Sequence, residues 1–92
     1  MKNDSARILL IEDERALREA LADALSAEGF SVEQAATGGA GLTAFRANPP
    51  DLVLLDLMLP EMSGIEICRA IRSNSKVPVS YTHLTLPTKR IV

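Results

Sequence analysis

The chain has 92 residues, of which 47% are apolar and 24% charged, a balance that fits one small globular domain and argues against disorder. Ten basic and twelve acidic residues give a net charge of −2, and aromatic residues make up only 3%, which argues against a dedicated nucleic-acid or membrane-surface protein. The single cysteine, Cys68, excludes an intramolecular disulfide, and no signal-peptide pattern opens the sequence. We therefore expect a reduced, cytoplasmic setting without membrane attachment.

The first predicted elements are a buried strand and an amphipathic helix. Residues 8–11 form a short, fully apolar run, which is typical of a parallel strand covered on both faces. Three acidic residues end this run: Glu12, Asp13 and Glu14. Apolar residues then recur at helical spacing as far as Gly29, a natural C-cap, so the pattern predicts a helix near residues 14–28.

The middle of the sequence predicts a weaker strand, a second helix and a second buried strand. Residues 30–35 carry several polar side chains, which favours an edge position in the sheet. The turn at residues 37–39 opens a helix that ends near Asn48, where two prolines follow. Residues 52–55 are again fully apolar, and Asp56 follows them directly.

The last predicted elements complete an alternating pattern. A loop at residues 57–63 leads to a helix over 64–72, and a further strand begins at 77–79. Strict alternation of strands and helices predicts an α/β fold, a doubly wound parallel sheet with right-handed crossovers and helices on both faces.

Acidic residues follow both buried strands, and this placement points to a site. In an open parallel sheet, ligands bind beyond the carboxyl ends of the strands. If the two buried strands are neighbours, Glu12, Asp13 and Asp56 meet in one crevice, where they repel unless a cation lies between them. A hard divalent ion such as Mg²⁺ suits oxygen ligands, and a carboxylate beside it can attack phosphorus. The sequence therefore predicts a metal-assisted phosphoryl acceptor.

Two of these acidic positions also have a purely structural explanation. Glu12 and Asp13 precede a predicted helix, where acidic side chains are favoured by capping and by the helix dipole. Asp56 is harder to explain in this way, because it interrupts an apolar stretch in which an unpaired charge costs several kcal/mol. Asp56 is therefore the stronger functional candidate.

These residues also match a known family pattern. The apolar strand with its acidic residues at 8–14, the segment 51–60 with Asp56 and Pro60, and the turn at 62–64 ending in Gly64 resemble the receiver domain of two-component response regulators. The resemblance covers roughly residues 6–79. The sequence of the loop after Asp56 is most similar to the transcription-factor class with a winged-helix output domain. It implies a flavodoxin-like receiver fold, of which this sequence holds about four of five strands and three of five helices.

The resemblance also implies roles for individual residues. Asp56 would accept a phosphoryl group from the phosphohistidine of a sensor histidine kinase, so the chain would serve as a phosphoacceptor rather than an enzyme. Glu12, Asp13 and Asp56 would hold Mg²⁺, with Asp13 a direct ligand and the backbone carbonyl of Met58 a further one. The kinase would dock near the first helix, and DNA would be contacted only through an output domain that this sequence does not include.

The sequence departs from the family pattern near its end. The family's switch Thr or Ser and its later lysine have no assignable counterpart after Val79, and the dimerisation face is missing. Residues 80–92 hold two basic residues and no acidic one, and the segment Val79 to Thr88 resembles one reading-frame translation of a sequencing adapter. We therefore expect a partial receiver domain over residues 1–79 followed by a non-native tail.

Two other functions fit parts of the sequence. Without the switch residues, the chain could be a non-signalling receiver remnant that binds at most a divalent ion or a partner. Residues 39–44 also match the dinucleotide-binding pattern G-x-G-x-x-A after a predicted strand. That strand is polar, however, whereas the strand before a dinucleotide fingerprint is normally central and buried, so this alternative is remote.

Overall fold

The computed structural model describes residues 5–56 and 63–81, which form a four-stranded parallel sheet and three helices. The strands are β1 (Arg7–Ile11), β2 (Ser31–Ala35), β3 (Leu52–Leu55) and β4 (Val79–Tyr81). The helices are α1 (Arg15–Ala27), α2 (Gly38–Ala47) and α3 (Gly64–Arg72). The predicted order of elements is confirmed, and every strand pair is parallel.

The sheet has the order β2-β1-β3-β4, so the chain reverses its direction of travel across the sheet at β1. The connection from β1 to β2 moves one way, and the next connection passes back over β1 to β3. Right-handed crossovers therefore place α1 on one face of the sheet and α2 and α3 on the other. This arrangement is the predicted doubly wound α/β fold.

The core lies mainly between the sheet and the two helices on one of its faces, α2 and α3. β1 is the central strand of the apolar core, and its residues from Ile8 to Ile11 are at most 2% exposed. Phe45 from α2 and Ile67 and Ile71 from α3 join β1 and β3 side chains in one cluster. This burial explains why residues 8–11 form an uninterrupted apolar run.

The two strands at the edges of the sheet, β2 and β4, differ in how closely they follow the sequence pattern. β2 lies at the edge, as its polar residues predicted, and Ser31, Glu33 and Gln34 are exposed. β4 begins at Val79 rather than at residue 77. Pro78 has no N–H to donate to a ladder, and its carbonyl instead accepts a hydrogen bond from Val53 at 3.0 Å.

Helix ends in this fold follow local capping rules at several positions. Thr37 and Ser63 accept hydrogen bonds from backbone N–H groups three residues later, at 3.0 and 3.1 Å, and so cap α2 and α3. Gly29, with φ of 100°, closes α1 in a conformation that glycine adopts readily. Within the described residues, no helix has the length and apolar character that a membrane crossing needs.

Candidate functional site

The pairing of β1 with β3 brings two acidic residues side by side. Ile11 is paired with Leu55, so the residues that follow them, Glu12 and Asp56, leave the sheet at the same edge. The N–H of Asp56 donates to the carbonyl oxygen of Ile11 at 3.0 Å, which continues the ladder into the site. This edge is the carboxyl end of the sheet at the strand where the order reverses, the position at which ligands bind in such folds.

Three carboxylates converge at this edge. Glu12, Asp13 and Asp56 each offer an oxygen, and these oxygens all lie within 4.8 Å of one another. Glu12 and Asp56 are both 0% exposed, whereas Asp13 is partly exposed. The predicted meeting of these three side chains is therefore present in the structure.

Glu12 is fixed by three hydrogen bonds, one to β2, one within its own turn and one to α1. Its N–H donates to the carbonyl oxygen of Ala35 in β2 at 3.0 Å. Its Oε2 accepts from the N–H of Glu14 at 3.0 Å, and its carbonyl oxygen accepts from Nη1 of Arg18 in α1 at 3.0 Å. The turn between β1 and α1 is thus tied to the sheet, to itself and to the helix.

The acidic group fits a hard divalent cation. All three donors are carboxylate oxygens, the ligand type that Mg²⁺ prefers in proteins. Negative charges this close repel one another, which makes it unfavourable for all three carboxylates to be ionised. A cation bound between them relieves that repulsion. The structure supplies these carboxylates from two strand ends that backbone hydrogen bonds hold in register.

The remaining predicted residues divide into two groups. Met58 and Pro60 lie outside the described residues, so the predicted metal-binding carbonyl and the predicted loop shape stay predictions. Gly64 is buried and opens α3, as the resemblance implied.

Arg18 was not singled out from the sequence. A usable signal was its position one turn into a helix that directly follows the acidic residues.

The dinucleotide alternative has a competing structural explanation. The strand before the glycine pattern is β2, an edge strand, whereas such fingerprints normally follow a central one. A Cβ on Gly41 would meet the side chain of Ile11, so this glycine serves close packing of α2 on β1. Packing therefore accounts for Gly41 without a phosphate ligand.

Comparison with known sequences agrees with this geometry. The family described as "Response regulator receiver domain" matches residues 8–85. "Transcriptional regulatory protein CseB" of Streptomyces coelicolor is 46% identical over 76 residues, which cover 83% of this chain and 32% of that protein. "DNA-binding response regulator MtrA" of Mycobacterium tuberculosis is 49% identical over 73 residues, covering 79% of this chain and 32% of that protein.

These relatives confirm the resemblance to the transcription-factor class, and the match covers only part of their length. The chain spans about a third of the length of these curated relatives. Both β4 and the family match continue past residue 79, to residues 81 and 85. The boundary at residue 79 and the foreign origin of residues 80–92 stay predictions, which the source DNA across that junction would test.

Solved structures show the same fold. The chemotaxis response regulator CheY4 of Vibrio cholerae superposes with a TM-score of 0.82 at 28% identity, over 95% of this chain and 76% of that one. The N-terminal domain of a response regulator receiver protein from Methanoculleus marisnigri JR1 gives a TM-score of 0.79 at 32% identity, over 83% and 64%. With the acidic residues at the carboxyl edge of a sheet in the order β2-β1-β3-β4, the chain belongs to the response regulator receiver domain family of two-component signalling.

Proposed function

We propose that Asp56 accepts a phosphoryl group from the phosphohistidine of a sensor histidine kinase. The observation that carries the proposal is the convergence of Glu12, Asp13 and Asp56 within 4.8 Å at the carboxyl edge of the sheet. Asp56 is 0% exposed at the end of β3, and its N–H is fixed to the carbonyl of Ile11. The backbone that carries this carboxylate is therefore held in register with β1, beside Glu12 and Asp13.

The proposed transfer replaces one bond to phosphorus with another. A carboxylate oxygen of Asp56 forms a P–O bond while the P–N bond to the kinase imidazole breaks. The electron pair of that bond leaves on the imidazole nitrogen, which takes up a proton, and an aspartyl phosphate results. Positioning and charge stabilisation account for most of the catalysis in such transfers.

Mg²⁺ is the proposed cofactor, held by Glu12, Asp13, Asp56 and the backbone carbonyl of Met58. When bound, it supplies positive charge that neutralises the oxygens of the transferring group. Asp13 is the proposed direct ligand among the acidic pair, and its partial exposure suits access from solvent. Glu12, fully buried and held by three hydrogen bonds, orients the turn that presents Asp13.

The partners follow from this chemistry. The chain acts as the phosphoacceptor substrate of a kinase rather than as an enzyme, and we propose a cytoplasmic location for it. The relatives are named as a transcriptional regulatory protein and a DNA-binding response regulator, and we propose that any DNA contact is made by an output domain rather than by the receiver domain. A remnant that binds Mg²⁺ without accepting phosphate is the second candidate, and the three converging carboxylates support it because ion binding requires only their oxygens.

A small-molecule phosphodonor distinguishes the two candidates. The chain is incubated with acetyl phosphate and MgCl₂, and intact-mass spectrometry measures addition of one phosphoryl group. We expect addition in the wild type and in Asp23→Asn, an exposed aspartate on α1 that serves as the control. Asp56→Asn should remove it, because the amide lacks the anionic oxygen.

The outcomes separate the candidates clearly. Phosphorylation that persists in Asp56→Asn would refute the assignment of the acceptor. A wild type that binds Mg²⁺ but gains no phosphoryl group would support the ion-binding remnant instead. Omission of MgCl₂, or its chelation, should abolish the reaction in the wild type, because the transferring charge is then not neutralised.

A further inference from the structure

We propose that Arg18 is a positioning residue of the acidic site, and this inference rests on the proposed function. Its Nη1 donates to the carbonyl oxygen of Glu12 at 3.0 Å, across a separation of six residues. That carbonyl belongs to the peptide that joins Glu12 to Asp13. Arg18 therefore fixes the orientation of the peptide from which both members of the acidic pair extend.

The helix explains how Arg18 reaches this peptide. The N–H of Arg18 donates to the carbonyl of Glu14 at 2.8 Å, so Arg18 stands one turn into α1. Side chains on a helix point back toward its N-terminus, which directs the guanidinium toward the end of β1. Glu14, the N-cap of α1, makes no side-chain capping hydrogen bond. The contact from Arg18 is thus a tie between α1 and the turn that carries the site.

Arg15 and Arg7 contact other parts of the molecule. Arg15, on the same helix, donates from Nε to Glu19 at 3.0 Å and is largely exposed. Arg7 stands at the opposite end of β1, where it donates to backbone carbonyls before β3. Arg18 is partly buried and contacts the site turn directly. Arg15 therefore provides a matched control with the same charge on the same helix.

The sign of the effect on Mg²⁺ affinity distinguishes positioning from simple charge. Removing a positive charge near a cation site makes the local potential more negative, which by itself tightens Mg²⁺ binding. Removing a group that orients metal ligands weakens binding, typically by about 10- to 100-fold. The two effects oppose each other in Arg18→Gln, so the direction of the change identifies the one that dominates.

The test titrates MgCl₂ into the ¹⁵N-labelled 92-residue chain and follows the backbone amide signals of Asp13 and Asp56. We expect Arg18→Gln to weaken Mg²⁺ binding, raising the dissociation constant by about tenfold. Arg15→Gln should leave it unchanged within about twofold, or tighten it slightly, since an exposed charge is screened by solvent. The same spectra report whether each variant is folded.

A kinetic readout adds a second criterion. With acetyl phosphate as donor, the Mg²⁺ concentration for half-maximal phosphorylation should rise about tenfold in Arg18→Gln. The maximal rate at saturating Mg²⁺ should stay within about twofold of the wild type, because the nucleophile itself is unchanged. A purely structural role would lower the folded fraction without shifting the Mg²⁺ dependence of the folded molecules.

Several results would overturn the inference. Unchanged or tighter Mg²⁺ binding in folded Arg18→Gln would do so, as would equal weakening in Arg15→Gln. If Arg18→Gln does not fold, Arg18→Lys decides, because its shorter side chain ends in one ammonium nitrogen and keeps the charge but not the guanidinium geometry. Weakening of more than about twofold supports the proposal, and unchanged affinity refutes it. A wild type that binds no Mg²⁺ would instead refute the proposed function.

Discussion

Close packing of α2 on β1 makes Gly41 a sensitive position, and its substitution by alanine tests the packing directly. A Cβ at Gly41 would lie 2.7 Å from Cγ1 and 3.3 Å from Cγ2 of Ile11, and it would overlap Cδ1 as well. Ordinary van der Waals contact begins at 3.4 Å. Ile11 is 0% exposed and belongs to the apolar core cluster, so its side chain can move only against the residues packed around it. Either this side chain or the helix must therefore shift.

The magnitude follows from two opposing effects. Overpacking of a core costs about 1–3 kcal/mol. Replacing glycine by alanine in a helix gains up to about 1 kcal/mol. With overpacking near the middle of its range, about 2 kcal/mol, and a helix gain of up to about 1 kcal/mol, we expect Gly41→Ala to lower the free energy of unfolding by about 1–2 kcal/mol, which corresponds to a fall in Tm of about 5–15 °C for a domain of this size.

The matched control is Gly39→Ala in the same helix, where an added Cβ would meet nothing within 4 Å. Its Tm should stay unchanged or rise, because only the helix gain applies. Thermal unfolding followed by circular dichroism measures both variants. Equal stability of Gly41→Ala and Gly39→Ala would refute the packing explanation. Because Ile11 directly precedes Glu12, a folded Gly41→Ala should also bind Mg²⁺ more weakly than the wild type.

Two further predictions concern the other end of the sheet and the last strand. Arg7→Met should lower the free energy of unfolding by about 0.5–1.5 kcal/mol, because two exposed backbone carbonyls before β3 exchange their charged donor for water; urea unfolding measures this, and a cost no larger than that of the exposed Arg15→Met would contradict it. The hydrogen bond from Tyr81 to Cys68, at 3.4 Å, raises the pKa of the tyrosine above 10.0. The stabilisation from this neutral tyrosine should thus be present below pH 10 and lost as the pH rises through the raised pKa. Ultraviolet titration should show a lower pKa in Cys68→Ala; an unchanged value would exclude the contact as the cause.

Local sequence patterns predicted most elements of the fold. The apolar runs at residues 8–11 and 52–55 predicted buried parallel strands, because strands covered on both faces need apolar side chains at every position. The polar residues at 30–35 predicted an edge strand for the same reason. Exact ends were less predictable, as at β4, since Pro78 precedes the ladder without donating to it.

The residues of the site could be predicted from the sequence, but their spatial arrangement depends on the order of the strands in the sheet. Acidic residues after two strands are visible in the sequence, but their meeting depends on which strands are neighbours. Adjacent pairing of β1 and β3 joins segments more than forty residues apart, and no local propensity specifies such a pairing. The family resemblance supplied the roles of Asp56 and of the acidic pair, and the structure supplied the distance that makes those roles chemically reasonable.

The sequence by itself determined the alternation of strands and helices and the acidic residues at the strand ends, because periodicity and capping are local properties. Only the tertiary structure decided that Glu12, Asp13 and Asp56 share one edge, that Arg18 reaches back to the Glu12 carbonyl, and that Gly41 lies against β1. Those features depend on how helices approach a sheet whose strand order is set by long-range pairing. A side chain's partner across such a contact follows from packing in three dimensions, which spacing along the chain does not encode.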